Sequence, residues 1–206
     1  MRRLRWFPES AAPMLRHLPN LITVLRILLI VPVCWLIATE RYEGALVLAA
    51  IAGLSDAVDG FLAKRYGWQT WLGGILDPIA DKLLLMAAFL SLAFAADLPL
   101  WLAALVIGRD LIIVSGATAY YYLIGRFDAE PSALSKLTTV VQILFVLSEL
   151  LRLSGLLAVP ESVRAICVAI AAVLTVASGV HYVVVWSTRA WRASAHNAST
   201  KKGRRA

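Results

Sequence analysis

Cysteine is scarce in this sequence of 206 residues. The chain has only two, Cys34 and Cys167, and each lies inside an apolar stretch without a C-x-x-C partner or a neighbouring histidine. This placement excludes a disulfide framework and a cysteine-based zinc site. The two thiols are therefore expected to be packing residues.

Charge is also scarce, because charged residues make up 16% of the chain while hydrophobic residues make up 60%. The apolar residues form long runs, and about 20 such residues suffice to cross a membrane as a helix. Lipid offers no water to hydrogen-bond the backbone, so the runs predict helices. The sequence predicts an all-α integral membrane protein with six transmembrane helices. The expected spans are Leu18–Ala38, Gly44–Leu62, Gly74–Ala95, Leu98–Leu123, Leu134–Leu157 and Val163–Trp186.

Basic residues between these spans or near their ends fall mostly on one side of the membrane. Only Arg41, Arg152 and Arg164 fall on the other side, a bias that places both termini in the cytoplasm of an inner-membrane protein. We expect a basic N-terminal segment at 1–17, a six-span membrane domain at 18–188 and a basic, disordered tail at 189–206. The tail suits anionic membrane lipids. Nucleic acid is not expected as a partner, because no fold for base readout accompanies the tail.

Ionisable side chains inside the predicted spans are few and clustered. A charge at mid-span costs about 2.5–3.5 kcal/mol, so such residues are expected to be functional. Asp56 and Asp59 are three residues apart near the cytoplasmic end of the second span, and Asp77 and Asp81 are four apart near the start of the third. Each spacing places both carboxylates on one helix face. Because helices joined by a short loop are neighbours, we expect all four carboxylates to converge.

Four carboxylates that close would repel one another, and a bound divalent cation is the simplest explanation. Oxygen ligands select Mg²⁺, Mn²⁺ or Ca²⁺ over zinc. Two ions that share carboxylates would form a clamp suited to phosphoryl chemistry. The alternative is that the aspartates form ion pairs with Lys64, Arg65 and Lys82, but buried ion pairs are a poor source of stability.

Small residues accompany the aspartates. Gly60 and Ala63 follow Asp56 on the same helix face, and Gly73 directly precedes the third span. They leave room for a ligand, or they permit close helix packing.

The segment 56–81 reads DAVDGFLAKRYGWQTWLGGILDPIAD. It resembles the D-x2-D-G-x2-A-R-x8-G-x3-D-x3-D signature of the CDP-alcohol phosphatidyltransferases. The one departure is Lys64, where the family has arginine; the charge is kept but the bidentate fork is lost, and Arg65 lies beside it. The six-span layout and the N-terminal LPNLITVLR are also similar, so the resemblance covers residues 19–186.

The resemblance implies a six-helix membrane fold, usually a homodimer, with a polar cavity open to the cytoplasm. It implies two divalent ions, Mg²⁺ or Mn²⁺, held by Asp56, Asp59 and Asp77. Asp81 matches the general base and is expected to be left free of the metal ions or bound to them only loosely. The implied reaction moves the phosphatidyl group of CDP-diacylglycerol to an alcohol and releases CMP. The residues expected at the cytidine nucleotide are Gly60, Ala63, Lys64 and Gly73, with Thr23 and Arg26 as further candidates.

The prediction of the acceptor alcohol depends on weaker sequence features than the prediction of the metal site. Arg109 in the fourth span and Lys136 at the start of the fifth are expected to bind an acceptor phosphate. The alternative is that Arg109 pairs with Asp110 or Glu149, although adjacent helical residues point in different directions, which argues against Asp110.

Two acceptors of the family carry a phosphate. They are glycerol 3-phosphate, which gives phosphatidylglycerol phosphate, and phosphatidylglycerol, which gives cardiolipin. GRD at 108–110 and PSALSKLTTVVQ at 131–142 resemble the cardiolipin-forming branch, whereas the whole-chain layout fits both branches. Glycerol 3-phosphate is the favoured acceptor.

Two other classes of function compete with an enzyme. A cation channel or transporter would distribute its acids through the membrane depth, whereas these lie at one cytoplasmic level. A noncatalytic membrane scaffold would tolerate loss of the aspartates.

Overall fold

The computed structural model describes the chain at residues 18–66, 71–95, 98–123 and 132–203, and its side chains at 23–55, 79–95, 98–116, 118 and 132–188. The regular structure in these residues is entirely helical, which confirms the predicted all-α chain with six helices. The helices are α1 (Leu18–Ala38), α2 (Tyr42–Tyr66), α3 (Trp71–Ala95), α4 (Leu100–Leu123), α5 (Ala133–Leu153) and α6 (Glu161–Gly203).

A three-residue turn joins α1 to α2. Glu40 adopts a left-handed conformation with φ of 58°, and the backbone N–H of Arg41 donates to the carbonyl of Leu36 at 2.8 Å. A left-handed residue after the last helical turn is a common way to satisfy the terminal carbonyls. The turn reverses the chain at once, so α1 and α2 pack side by side.

Helix α5 is shorter than predicted, because it ends at Leu153 and not at Leu157. Gly155 has a φ of 76°, and its N–H donates to the carbonyl of Arg152 at 3.1 Å. Glycine adopts this conformation without steric cost, so it ends the helix although the apolar run continues.

Helix α6 is longer than predicted. Its expected span stops at Trp186, but the helical backbone continues to Gly203 through most of the segment predicted to be disordered. Alanine recurs there at positions 190, 193, 195 and 198 and has the highest helix propensity of any residue. Residues 204–206 lie outside the described part of the chain.

The predicted single domain contains two compact units. The first comprises α1, α2, α3 and residues 146–158. Within it, α1 packs against both α2 and α3, and the side chains of Ile37, Phe89 and Leu92 are fully or almost fully buried between them. Helix α1 is thus the common partner of the two helices that carry the aspartates.

The second unit comprises α4, residues 133–145 of α5, and α6. Helices α4 and α6 pack together, with Leu102, Val106 and Ala171 buried. This core is unusually polar for an apolar sequence. Its buried polar side chains are Arg109, Asp110, Ser135, Thr138, Gln142, Thr175 and Ser178.

Two helical stretches in the described residues are long and apolar enough to cross a membrane, Ala133–Leu153 and Glu161–Thr188. Shorter apolar stretches occur at Thr23–Ala38 in α1 and Tyr42–Ser55 in α2. Two such helices indicate a membrane protein only weakly, since buried core helices have the same composition. Insertion of all six helices therefore stays a prediction.

Candidate active site

The four aspartates of the signature lie on two helices of the first unit. Asp56 and Asp59 are on α2, and Asp77 and Asp81 are on α3, so the spacings of three and four residues are helical as predicted. Side chains 56–78 lie outside the described residues, and the convergence of the four carboxylates stays a prediction. The predicted site residues in this range are Asp56, Asp59, Gly60, Ala63, Lys64, Gly73 and Asp77.

Asp81 is the signature aspartate whose side chain the structure describes. Its carboxylate oxygen Oδ1 accepts a hydrogen bond from Nη1 of Arg26 on α1, and the two form an ion pair. The Asp81 side chain is 44% exposed, whereas that of Arg26 is 2% exposed. The expected base therefore faces open space on one side and a buried cation on the other.

This contact joins two predicted site residues in an unexpected way. Arg26 is predicted to contact the nucleotide and Asp81 to act as base, and the structure brings them together directly. The alternative of structural ion pairs names Lys64, Arg65 and Lys82 as partners, and the pair with Arg26 is a further ion pair of a signature aspartate. Thr23, the other nucleotide candidate on α1, lies one turn before Arg26 and is completely buried.

Arg109 lies in an enclosed polar cluster of the second unit. Its Nη1 donates to Oδ1 of Asp110, and its Nη2 donates to the hydroxyl of Ser135 at 2.6 Å and to that of Ser178 at 2.8 Å. Its Nε also donates to Ser178, at 3.2 Å. The guanidinium thus links α4, α5 and α6.

Arg109 pairs with Asp110. The expectation from helical spacing that Asp110 is a poor partner for Arg109 is therefore wrong. The two Cβ atoms do point in different directions on α4, but the long arginine side chain folds back far enough to reach its neighbour. Both residues are 4% exposed. A buried guanidinium needs a counter-charge, and the adjacent carboxylate of Asp110 supplies it.

The other residues considered for the acceptor site are not among the described partners of Arg109. Lys136 follows Ser135 on α5 but is exposed. Glu149 is 3% exposed and accepts a hydrogen bond at 2.9 Å from Arg152, three residues later on the same helix. The structure therefore gives Glu149 a partner of its own.

Sequence reasoning missed the polar face of α5. Thr138 donates to the carbonyl of Leu174 on α6 at 3.2 Å, and Nε2 of Gln142 donates to the hydroxyl of Thr175 at 2.8 Å. The signal was present in the PSALSKLTTVVQ segment, where Ser135, Thr138 and Gln142 recur at helical spacing on one face.

The donor chemistry of the signature fits a hard divalent cation. Among the described side chains, no group of three or more histidine, cysteine, aspartate or glutamate residues could hold a metal ion. The signature itself offers four carboxylates, and oxygen ligands suit Mg²⁺ and Mn²⁺. Asp81 is exposed enough for an ion to approach its carboxylate.

Comparison with known proteins decides the family. The model of the CDP-alcohol phosphatidyltransferases matches residues 16–189. The chain belongs to this family. A probable phosphatidylglycerophosphate synthase of Mycobacterium tuberculosis is 38% identical over 177 residues, which are 81% of this chain and 80% of the relative.

Two further relatives carry different names. A CDP-diacylglycerol--glycerol-3-phosphate 3-phosphatidyltransferase of Aquifex aeolicus is 35% identical over 64% of this chain and 74% of its own length. The CMP-forming cardiolipin synthase of Rattus norvegicus is 35% identical over 64% of this chain, and the match spans 44% of the rat protein. The family and these relatives are phosphatidyltransferases, so this chain is an enzyme of that class.

Proposed function

We propose that this phosphatidyltransferase moves the phosphatidyl group of CDP-diacylglycerol to glycerol 3-phosphate, with release of CMP. The observation that carries the proposal is the complete set of four signature aspartates on the helices α2 and α3. The relatives named for the glycerol 3-phosphate reaction support the choice of acceptor, since one of them matches over 80% of its length.

In the proposed reaction, Asp56, Asp59 and Asp77 would hold two Mg²⁺ or Mn²⁺ ions, with Asp81 at the edge of the same site. Bound ions would offset the negative charge of the diphosphate and of the departing CMP. Asp81 accepts the proton of the acceptor hydroxyl as its oxygen forms a bond to the β-phosphorus of CDP-diacylglycerol. The bond from that phosphorus to the CMP oxygen breaks, and CMP leaves.

The nucleotide is proposed to lie against the small residues of the signature, Gly60, Ala63 and Gly73, because side chains of this size let a ligand approach the helix backbone. Lys64 supplies a positive charge near the diphosphate, although without the bidentate geometry of arginine.

The acceptor phosphate is proposed to meet Lys136 and Arg109. Lys136 is exposed and is the stronger candidate for direct contact. The hydrogen bonds of Arg109 to Asp110, Ser135 and Ser178 weaken the case that its guanidinium binds phosphate directly.

The protein is proposed to cross the inner membrane six times and to work as a homodimer with its site facing the cytoplasm. Large apolar side chains are exposed on several helices, among them Val31 at 71%, Phe94 at 73% and Val173 at 66%. So much exposed apolar surface is unfavourable in water and suits contact with lipid or a second chain.

Cardiolipin synthesis from phosphatidylglycerol is the second candidate function. The observation that favours it is the 35% identity with the rat cardiolipin synthase, together with the GRD and PSALSKLTTVVQ segments. A cation transporter or a noncatalytic scaffold is a distant third, which the family membership disfavours.

The test is CMP release by the purified protein. It is given CDP-diacylglycerol with Mg²⁺ or Mn²⁺ and either glycerol 3-phosphate or phosphatidylglycerol. Release with glycerol 3-phosphate supports the proposal, and release with phosphatidylglycerol alone reassigns the acceptor. No release with either acceptor contradicts the proposed activity.

A further inference from the structure

The ion pair between Arg26 and Asp81 joins the helix α1 to the helix that carries the expected base. Nη1 of Arg26 donates to Oδ1 of Asp81, within the packed face of α1 and α3. Arg26 is the only charged residue in α1 between Thr23 and Ala38. The single charged side chain of this apolar segment therefore contacts α3, the helix that carries the expected base.

The burial of the two side chains is unequal. Arg26 is 2% exposed, while Asp81 is 44% exposed, so the guanidinium is enclosed and the carboxylate stands at the edge of open space. A buried guanidinium depends strongly on its counter-charge. An arginine held by packing is also a rigid support, because its rotamer is set by the surrounding side chains.

We propose that Arg26 is a positioning residue for Asp81. By binding one carboxylate oxygen, it restricts the rotation of the Asp81 side chain and keeps the carboxylate turned towards the site where the acceptor hydroxyl arrives. This inference rests on the proposed function, in which Asp81 is the base. It differs from the expectation that Arg26 binds the nucleotide, and the two roles are separated by experiment.

The two roles of Arg26 predict different kinetics. A positioning residue acts on the chemical step, so its loss lowers kcat and leaves KM for CDP-diacylglycerol nearly unchanged. A nucleotide ligand contributes to binding, so its loss raises that KM and weakens the binding of CMP. Geometry held by a neighbouring side chain is worth roughly 10- to 100-fold in rate.

The experiment is a double-mutant cycle with Arg26→Gln and Asp81→Asn. Arg26→Gln is expected to lower kcat by about 10- to 100-fold with KM for CDP-diacylglycerol within about twofold. Arg26→Lys is expected to recover part of the rate, because its ammonium keeps the positive charge and can still donate to the Asp81 carboxylate. In the Asp81→Asn background, Arg26→Gln is expected to change the residual rate by less than about twofold.

A binding measurement covers the case in which Arg26→Gln alone fails to fold because an amide replaces the buried guanidinium. The double variant carries neutral amides at both positions, and its affinity for CMP is compared with that of Asp81→Asn by titration calorimetry. Equal affinities support positioning. A loss of about tenfold or more overturns it and makes Arg26 a nucleotide ligand.

Arg152→Gln is the matched control, because it removes an arginine–carboxylate pair from the same unit. It is expected to leave kcat within about twofold, because neither Arg152 nor Glu149 belongs to the signature. Independent, multiplicative effects of Arg26→Gln and Asp81→Asn would also overturn the inference. A wild-type protein that releases no CMP would overturn the proposed function and the inference together, whereas an active wild type with a KM effect at Arg26 overturns the inference alone.

Discussion

Arg26 in the first unit and Arg109 in the second are both almost completely buried, at 2% and 4% exposure, but their partners differ. Arg26 pairs with a carboxylate that is 44% exposed. Arg109 pairs with a carboxylate as buried as itself and with two serine hydroxyls. The Arg26 pair leaves its carboxylate partly accessible for chemistry, whereas the enclosed Arg109 guanidinium also joins α4 to the serines of α5 and α6.

The largest effect on activity is expected at the pair of Arg26 and Asp81, whose carboxylate is partly exposed. Asp81→Asn removes the proton acceptor and should lower the rate of CMP release by at least about 100- to 10,000-fold. The thermal unfolding midpoint in detergent should also fall, because Arg26 then stays buried without its described counter-charge, so the rate is measured well below that midpoint. The control is Glu161→Gln, a surface carboxylate on α6. Full activity of Asp81→Asn would show that another group accepts the proton of the acceptor hydroxyl.

Loss of the enclosed pair of Arg109 and Asp110 should lower the stability of the fold. Arg109→Met leaves Asp110 buried without its described counter-charge, which typically costs about 3–5 kcal/mol. The expected result is a clearly lower unfolding midpoint in detergent. Arg109→Met combined with Asp110→Leu should recover much of that loss, because no charge then remains buried. Unchanged stability in the single variant would mean that the cluster is not structural.

A smaller effect is expected from the polar contact between α5 and α6. Thr175→Val removes the acceptor of the Gln142 amide and should cost about 0.6–1.7 kcal/mol, the range for hydrogen bonds between membrane helices. Thermal unfolding measures it. Thr188→Val is the control, because the Thr188 hydroxyl donates only to carbonyls of its own helix in the described contacts. Equal effects of the two changes would contradict an interhelical role.

The smallest effect is expected from removing the Glu161 carboxylate from its pair with Arg164, whose own side chain is 14% exposed. The Glu161 side chain is 78% exposed, and exposed pairs three or four residues apart contribute about 0.3–0.5 kcal/mol. Glu161→Gln should therefore shift the unfolding midpoint barely measurably and leave CMP release unchanged. A large loss of stability would show that burial is a poor guide to the value of ion pairs in this protein.

Much of the fold was predictable because apolar runs of this length form helices in almost any environment. The end of α5 was not, since Gly155 ends the helix within a continuing apolar run. The family and its four aspartates were also predictable, because the signature depends on spacing along two helices. The pairing of Arg109 with Asp110 was misjudged because helical spacing describes Cβ directions and not the reach of a long side chain.

The sequence by itself determined the helical class, the family and the positions of the aspartates, because each depends on residues close together in the chain. Only the tertiary structure decided which arginine meets which carboxylate. Arg26 and Asp81 are 55 residues apart, and their contact depends on how α1 packs against α3. That register is set by the shapes of many buried side chains together, and no local pattern records it.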